Sequence, residues 1–154
     1  MTDDEFLAAF QACTLTRPQW THEAHVRMAW LFLTRLPFVT ALDRIRTGIR
    51  KLNDRIGQPL ITHRAPPQHS CKTVRSTGSS GDPNGYHETI TVAFARVIAS
   101  RVRLGEDFAA FRDRNADLFD RTLPALLRHY SKERLWSPEA RRWFIEPDVA
   151  MLPT

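Results

Sequence analysis

Phe38, Leu42, Ile45, Ile49, Leu52 and Ile56 recur at intervals of three and four residues along one stretch of this chain. At about 100° per residue they share one face of a helix, which Asp43, Arg46, Arg50 and Arg55 largely avoid. Gly57 and Pro59 close the run. A face this apolar must be covered, so the stretch predicts a helix over about Phe38 to Ile56 with other elements packed on it. The same periodicity, bounded by caps and breakers, predicts helices from about Thr2 to Cys13, from Thr21 to Leu36 ahead of Pro37, and from about Tyr86 to Arg103. Shorter helices are predicted over about Glu106–Leu118 and Arg121–Tyr130. A last one follows the Ser137 cap and Pro138 to about Ile145.

There is no alternating strand pattern and no repeat of roughly 20–50 residues. The expected fold is all-α: a single-domain helical bundle of four main helices plus short accessory helices, spanning residues 1–154. Its one long irregular loop lies at about 57–85 and is rich in Pro, Ser, Thr and Gly. A loop of that length serves as a lid, a binding loop or a disordered excursion. The tail from Glu146 to Thr154 is expected to run extended over the bundle.

Composition narrows the function classes. With 42% apolar and 25% charged residues, the chain reads as a soluble globular protein. No apolar run reaches the roughly 20 residues that span a bilayer, so no membrane partner is expected. The opening Met1-Thr2-Asp3-Asp4-Glu5 lacks the basic start and apolar core of a secretory signal. Cys13 and Cys71 do not suggest a disulfide framework, and the expected location is cytoplasmic. The formal charge is +5, and Lys51, Lys72 and Lys132 are the lysines among 22 basic residues. The arginines that make up the remainder fall on the outer faces of every predicted helix. A nucleic-acid footprint would gather them in one stripe interleaved with aromatics, so the expectation is a solvated arginine-rich surface and no nucleic-acid partner. A homo-oligomer is left open.

The candidate chemistry lies in two short stretches, Trp20-Thr21-His22-Glu23-Ala24-His25 and Tyr86-His87-Glu88-Thr89. His22 and His25 stand at i and i+3, within about 60° of each other on the stripe that carries Ala29, Leu33 and Leu36. On a helix begun at Tyr86, His87 falls at the centre of an apolar face with Ile90, Phe94 and Ile98, and Glu88 falls about 100° away. A buried imidazole needs partners for its nitrogens. Three of them converging would suit Zn, Fe, Ni or Cu, and would leave a coordination position open for water or substrate. Glu88 would then act as fourth ligand or as general base. His63, His69 and Cys71 in the irregular loop, and His129 at a helix end, are weaker candidates.

The stretch Trp20-x-His22-x-x-His25-Val26-x-x-Ala29, with Gly85-Tyr86-His87-Glu88-Thr89-x-Thr91, resembles a family of small, largely uncharacterised bacterial all-helical proteins. Trp136-Ser137-Pro138-Glu139-Ala140-Arg141 and Glu146-Pro147-Asp148 resemble it too. The resemblance implies a helical domain and transfers no activity. A more distant likeness, in architecture alone, is to DinB-like metal-binding four-helix bundles, which gather a histidine triad from separate helices.

Two functional expectations follow. The first is a metal-dependent enzyme acting on a small molecule, with His22, His25 and His87 holding a divalent transition metal and Glu88 moving protons. Its chemistry would be hydrolytic, hydrating or oxygen-based. The alternative is a non-catalytic ligand- or partner-binding helical protein whose histidines are structural.

Overall fold

The computed structural model describes residues 1–57 and 85–154 of the chain. The irregular segment expected over about 57–85, with His63, His69 and Cys71, therefore lies almost wholly outside the described residues. Within them the fold is all-α, with nine helices and no strand. No described helix is long and apolar enough to cross a membrane.

Helices α1 (Asp3–Gln11), α2 (His22–Arg35), α3 (Phe38–Gly57) and α4 (Glu88–Arg101) form the main body. The caps read from the sequence operate. Thr2 closes a full capping box with Glu5 at the start of α1. Thr21 Oγ1 accepts from the Ala24 amide at the start of α2. α3 buries the stripe Leu42, Ile45, Ile49 and Leu52 against α2 and α4, and the buried apolar side chains form one connected cluster. α1 lies across α2 and α3. Its Phe10 is 1% exposed and reaches the α3 backbone because position 48 is glycine. A Cβ there would stand 2.3 Å from the Phe10 ring.

The second half departs from the expected helices. In place of one helix over 106–118 there are two short ones, α5 (Phe108–Arg114) and α6 (Ala116–Phe119). They break at Asn115, whose backbone leaves the helical region at φ −127°, ψ 45°. Its buried side chain bonds Phe111 O and the Arg101 guanidinium. The helix expected over 121–130 shrinks to the single turn α7 (Pro124–Leu127), and the turn α8 (Lys132–Leu135) was not expected. The last helix, α9 (Pro138–Arg142), has its Ser137 cap and Pro138 but stops short of Ile145. Trp143 is extended there, and its carbonyl accepts from Thr89 Oγ1 on α4. The tail is extended and tied down as anticipated. The Val149 amide donates to His129 O, Asp148 takes both donors of Ser131, and Leu152 is buried.

A histidine-lined cavity between α2, α3 and α4

The first turn of α2 and the facing sides of α3 and α4 enclose a cavity of about 380 Å³. Its apolar walls include Val26 and Ala29 from α2, Ile45 and Ile49 from α3, and Phe94 and Ile98 from α4. The helical stripes place these side chains inward, so the cavity lies within the core that the periodicity foretold. Leu123 closes one side with a left-handed backbone, φ 58°. That conformation costs a non-glycine residue about 1–2 kcal/mol, which burial of the leucine side chain offsets.

The polar lining is sparse: His22, His25, Thr91 and Arg121. His22 Nε2 stands 2.8 Å from Leu118 O. A carbonyl can only accept, so that nitrogen carries a proton, and in the neutral ring Nδ1 holds the lone pair. His25 has the opposite tautomer, with Nδ1–H donating to Thr21 O at 2.7 Å and leaving the lone pair on Nε2. Each imidazole is thus oriented by one backbone carbonyl. Neither free nitrogen has a hydrogen bond to a described residue.

Trp20 fixes the wall beside them. Its ring lies between Phe10, at 5.3 Å, and His25, at 3.8 Å between centroids. Its indole N–H donates to Asn53 Oδ1 on α3. Burial against this wall pushes the His25 pKa down from 6.5 to about 4, and the neighbouring His22 acts in the same direction. The hydrogen bond to Thr21 opposes this but is outweighed. His25 is accordingly neutral near pH 7. Thr91 Oγ1 is engaged with His87 O on its own helix. Arg121 is the exposed member of the lining and marks a side on which the cavity meets solvent.

The other two expected site residues stand elsewhere. His87 is not on the helical face of α4 but is its N-cap, with extended backbone at φ −137°, ψ 108°. The wheel that placed it beside Phe94 assumed helical dihedrals one residue too early. Its Nδ1 accepts from the Ile90 amide at 3.2 Å, and its Nε2–H donates to Leu135 O at 2.9 Å. Both ring nitrogens are occupied, and the ring packs edge-on against Trp136. Desolvation holds its pKa below the usual value. Among the described residues, no three His, Cys, Asp or Glu side chains stand close enough to hold one metal ion.

Glu88 is buried in a different cluster. One carboxylate oxygen accepts from the Arg46 guanidinium at 2.5 Å and the other from the Tyr86 hydroxyl at 2.6 Å. Arg50 stands 3.8 Å away and lies over the Tyr86 ring. Burial, then the hydrogen bond and the charge of Glu88, push the Tyr86 phenol far above its ordinary pKa, so it remains a donor. This cluster ties α3 to the start of α4. Arg46 and Arg50 stand at i and i+4 on α3, a spacing that could have announced a shared acidic partner. Arg121 had no such signal among so many arginines.

Neither His87 nor Glu88 is among the residues lining the cavity. Of the four expected site residues, His22 and His25 are brought together there. Comparison with family models, with characterised proteins and with solved structures finds no match to this chain.

Proposed function

We propose that this protein binds a small, largely apolar molecule in the cavity between α2, α3 and α4, with the imidazole wall of His22 and His25 accepting from a donor group on it. The observation that carries the reading is the pair of imidazoles on one cavity wall. Each spends one nitrogen on a backbone carbonyl and keeps a lone pair on the other. Apolar walls with a few oriented polar groups are the usual construction of a small-molecule site, and about 380 Å³ lies within its usual range. The neutral state of His25 lets its Nε2 accept a hydrogen bond from a hydroxyl on the ligand.

The test uses p-cresol and 1-octanol as probes, read by calorimetry and by Trp20 fluorescence. Both probes should bind the wild type, and the fluorescence response should vanish in Trp20→Phe. Ala29→Phe, which fills the cavity, should abolish binding while the far-UV circular dichroism stays helical. Absence of binding by both probes refutes the reading.

A second reading is favoured by one specific observation. Metal-bound histidines commonly donate their other ring N–H to a backbone carbonyl, which orients the ligating nitrogen. His22 and His25 share that pattern. On this reading a divalent transition metal (Zn, Fe, Ni or Cu) sits on His22 Nδ1 and His25 Nε2, and the chain is a metal-dependent enzyme acting on the molecule in the cavity. His87 and Glu88 would then have structural roles. Titration with Zn²⁺ or Ni²⁺ should show stoichiometric binding that His22→Ala and His25→Ala lose and His87→Ala keeps. No uptake by the wild type excludes it.

A further inference from the structure

The formal charge carried by the described residues that line the cavity is of one sign. Among the described residues, Arg121 is the formally charged side chain in its lining, no carboxylate is part of that lining, and His25 is neutral. Of the acidic groups nearby, Glu23 pairs with Arg112 at 3.2 Å and Asp117 is held by two nitrogens of Arg101, while Asp120 accepts from the amide and hydroxyl of Thr122 at one oxygen and keeps its charge outside the lining. Arg121 itself has no ion pair to a described residue. His22 and His25 belong to the first turn of the 14-residue helix α2, so the positive end of its dipole lies at the same wall. Behind these groups the walls are hydrocarbon and aromatic.

Resting on the small-molecule reading above, we infer that the ligand is an apolar monocarboxylate. Its carboxylate pairs with Arg121 at the solvent side, away from the acceptor nitrogen of His25, which is left for a hydroxyl elsewhere on the ligand, and its aliphatic or aromatic body lies among Ile45, Ile49, Phe94 and Ile98. A guanidinium matches a carboxylate with two parallel N–H donors, which a neutral head group cannot exploit. The apolar body supplies affinity through burial, and Arg121 selects the acid over the alcohol of equal length. A second carboxylate on the ligand would have to be buried among those walls without a cation, which rejects dicarboxylates.

The test compares octanoate, 1-octanol and suberate at pH 7.5 by isothermal titration calorimetry, each below its aggregation limit. Octanoate should bind the wild type about tenfold more tightly than 1-octanol, the order expected for one charge-assisted pair at a partly exposed site. Suberate should bind at least tenfold more weakly than octanoate. In Arg121→Gln the ratio of octanoate to 1-octanol affinity should fall to about one, and Arg121→Lys should recover part of it. Equal binding of octanoate and 1-octanol, or an octanoate advantage that survives Arg121→Gln, overturns the carboxylate assignment and leaves the cavity reading standing. Failure of octanoate, 1-octanol and p-cresol alike to bind the wild type overturns both.

Discussion

Replacing His87 separates a capping imidazole from a metal ligand. In His87→Ala the Ile90 amide loses its acceptor and the buried Leu135 carbonyl loses its donor. Loss of an N-cap costs about 1 kcal/mol. Stranding a buried carbonyl costs about 1–3 kcal/mol, for a sum of about 2–4 kcal/mol. In a chain of this length each kcal/mol moves Tm by about 2–4 °C, so the expected fall is about 5–15 °C. Asparagine is among the best N-caps but is too short to replace both bonds. His87→Asn should therefore recover about 1 kcal/mol of the loss. The assay is differential scanning calorimetry at pH 7.5, repeated with added Zn²⁺. Any rise in Tm that zinc produces in the wild type should persist in both variants. A fall below about 2 °C in His87→Ala, or an asparagine variant no better than alanine, would refute the capping account. A zinc response lost with His87 alone would restore it as a ligand.

Other expectations follow from the same geometry. Gly48→Ala should destabilise by up to about 2 kcal/mol in urea unfolding, because a clash with Phe10 costing about 1–3 kcal/mol is offset by a helix-propensity gain of about 1 kcal/mol. Glu88→Ala should cost about 3 kcal/mol, the low end for breaking a buried pair since Arg46 keeps some access to water. Glu88→Gln should cost less, because its amide oxygen still accepts from Tyr86 or Arg46. The fold holds His25 neutral, with a pKa of about 4 against 6.5 ordinarily, so the unfolded chain binds more protons between those values. That stability is complete above about pH 6.5 and is lost as pH falls toward 4, by at most about 1.4 kcal/mol per pH unit. His87 acts in the same sense. Urea midpoints measured from pH 7.5 to 5 should fall, and His25→Gln should flatten the slope.

The main body of the fold was legible because its signals are local. Thr2, Thr21 and Ser137 cap helices through their own side chains, and the α3 stripe encodes its buried face at a fixed spacing whatever covers it. The same locality put His22 and His25 on one wall, since both lie inside a helix whose start Thr21 specifies. Where a long-range partner competes with local propensity, the pattern misleads. Asn115 breaks an otherwise regular helical stretch because Phe111 O and Arg101 satisfy its amide in the core. His87 leaves the helical face because a carbonyl 48 residues away takes its Nε2–H. Glu88 is drawn from the imagined site by Arg46, 42 residues before it. Periodicity thus specifies which face of each helix is buried. It holds no information on which distant donor or acceptor a buried polar side chain will meet, because that depends on how the helices pack, and the packing turned a supposed triad into a pair beside a cavity.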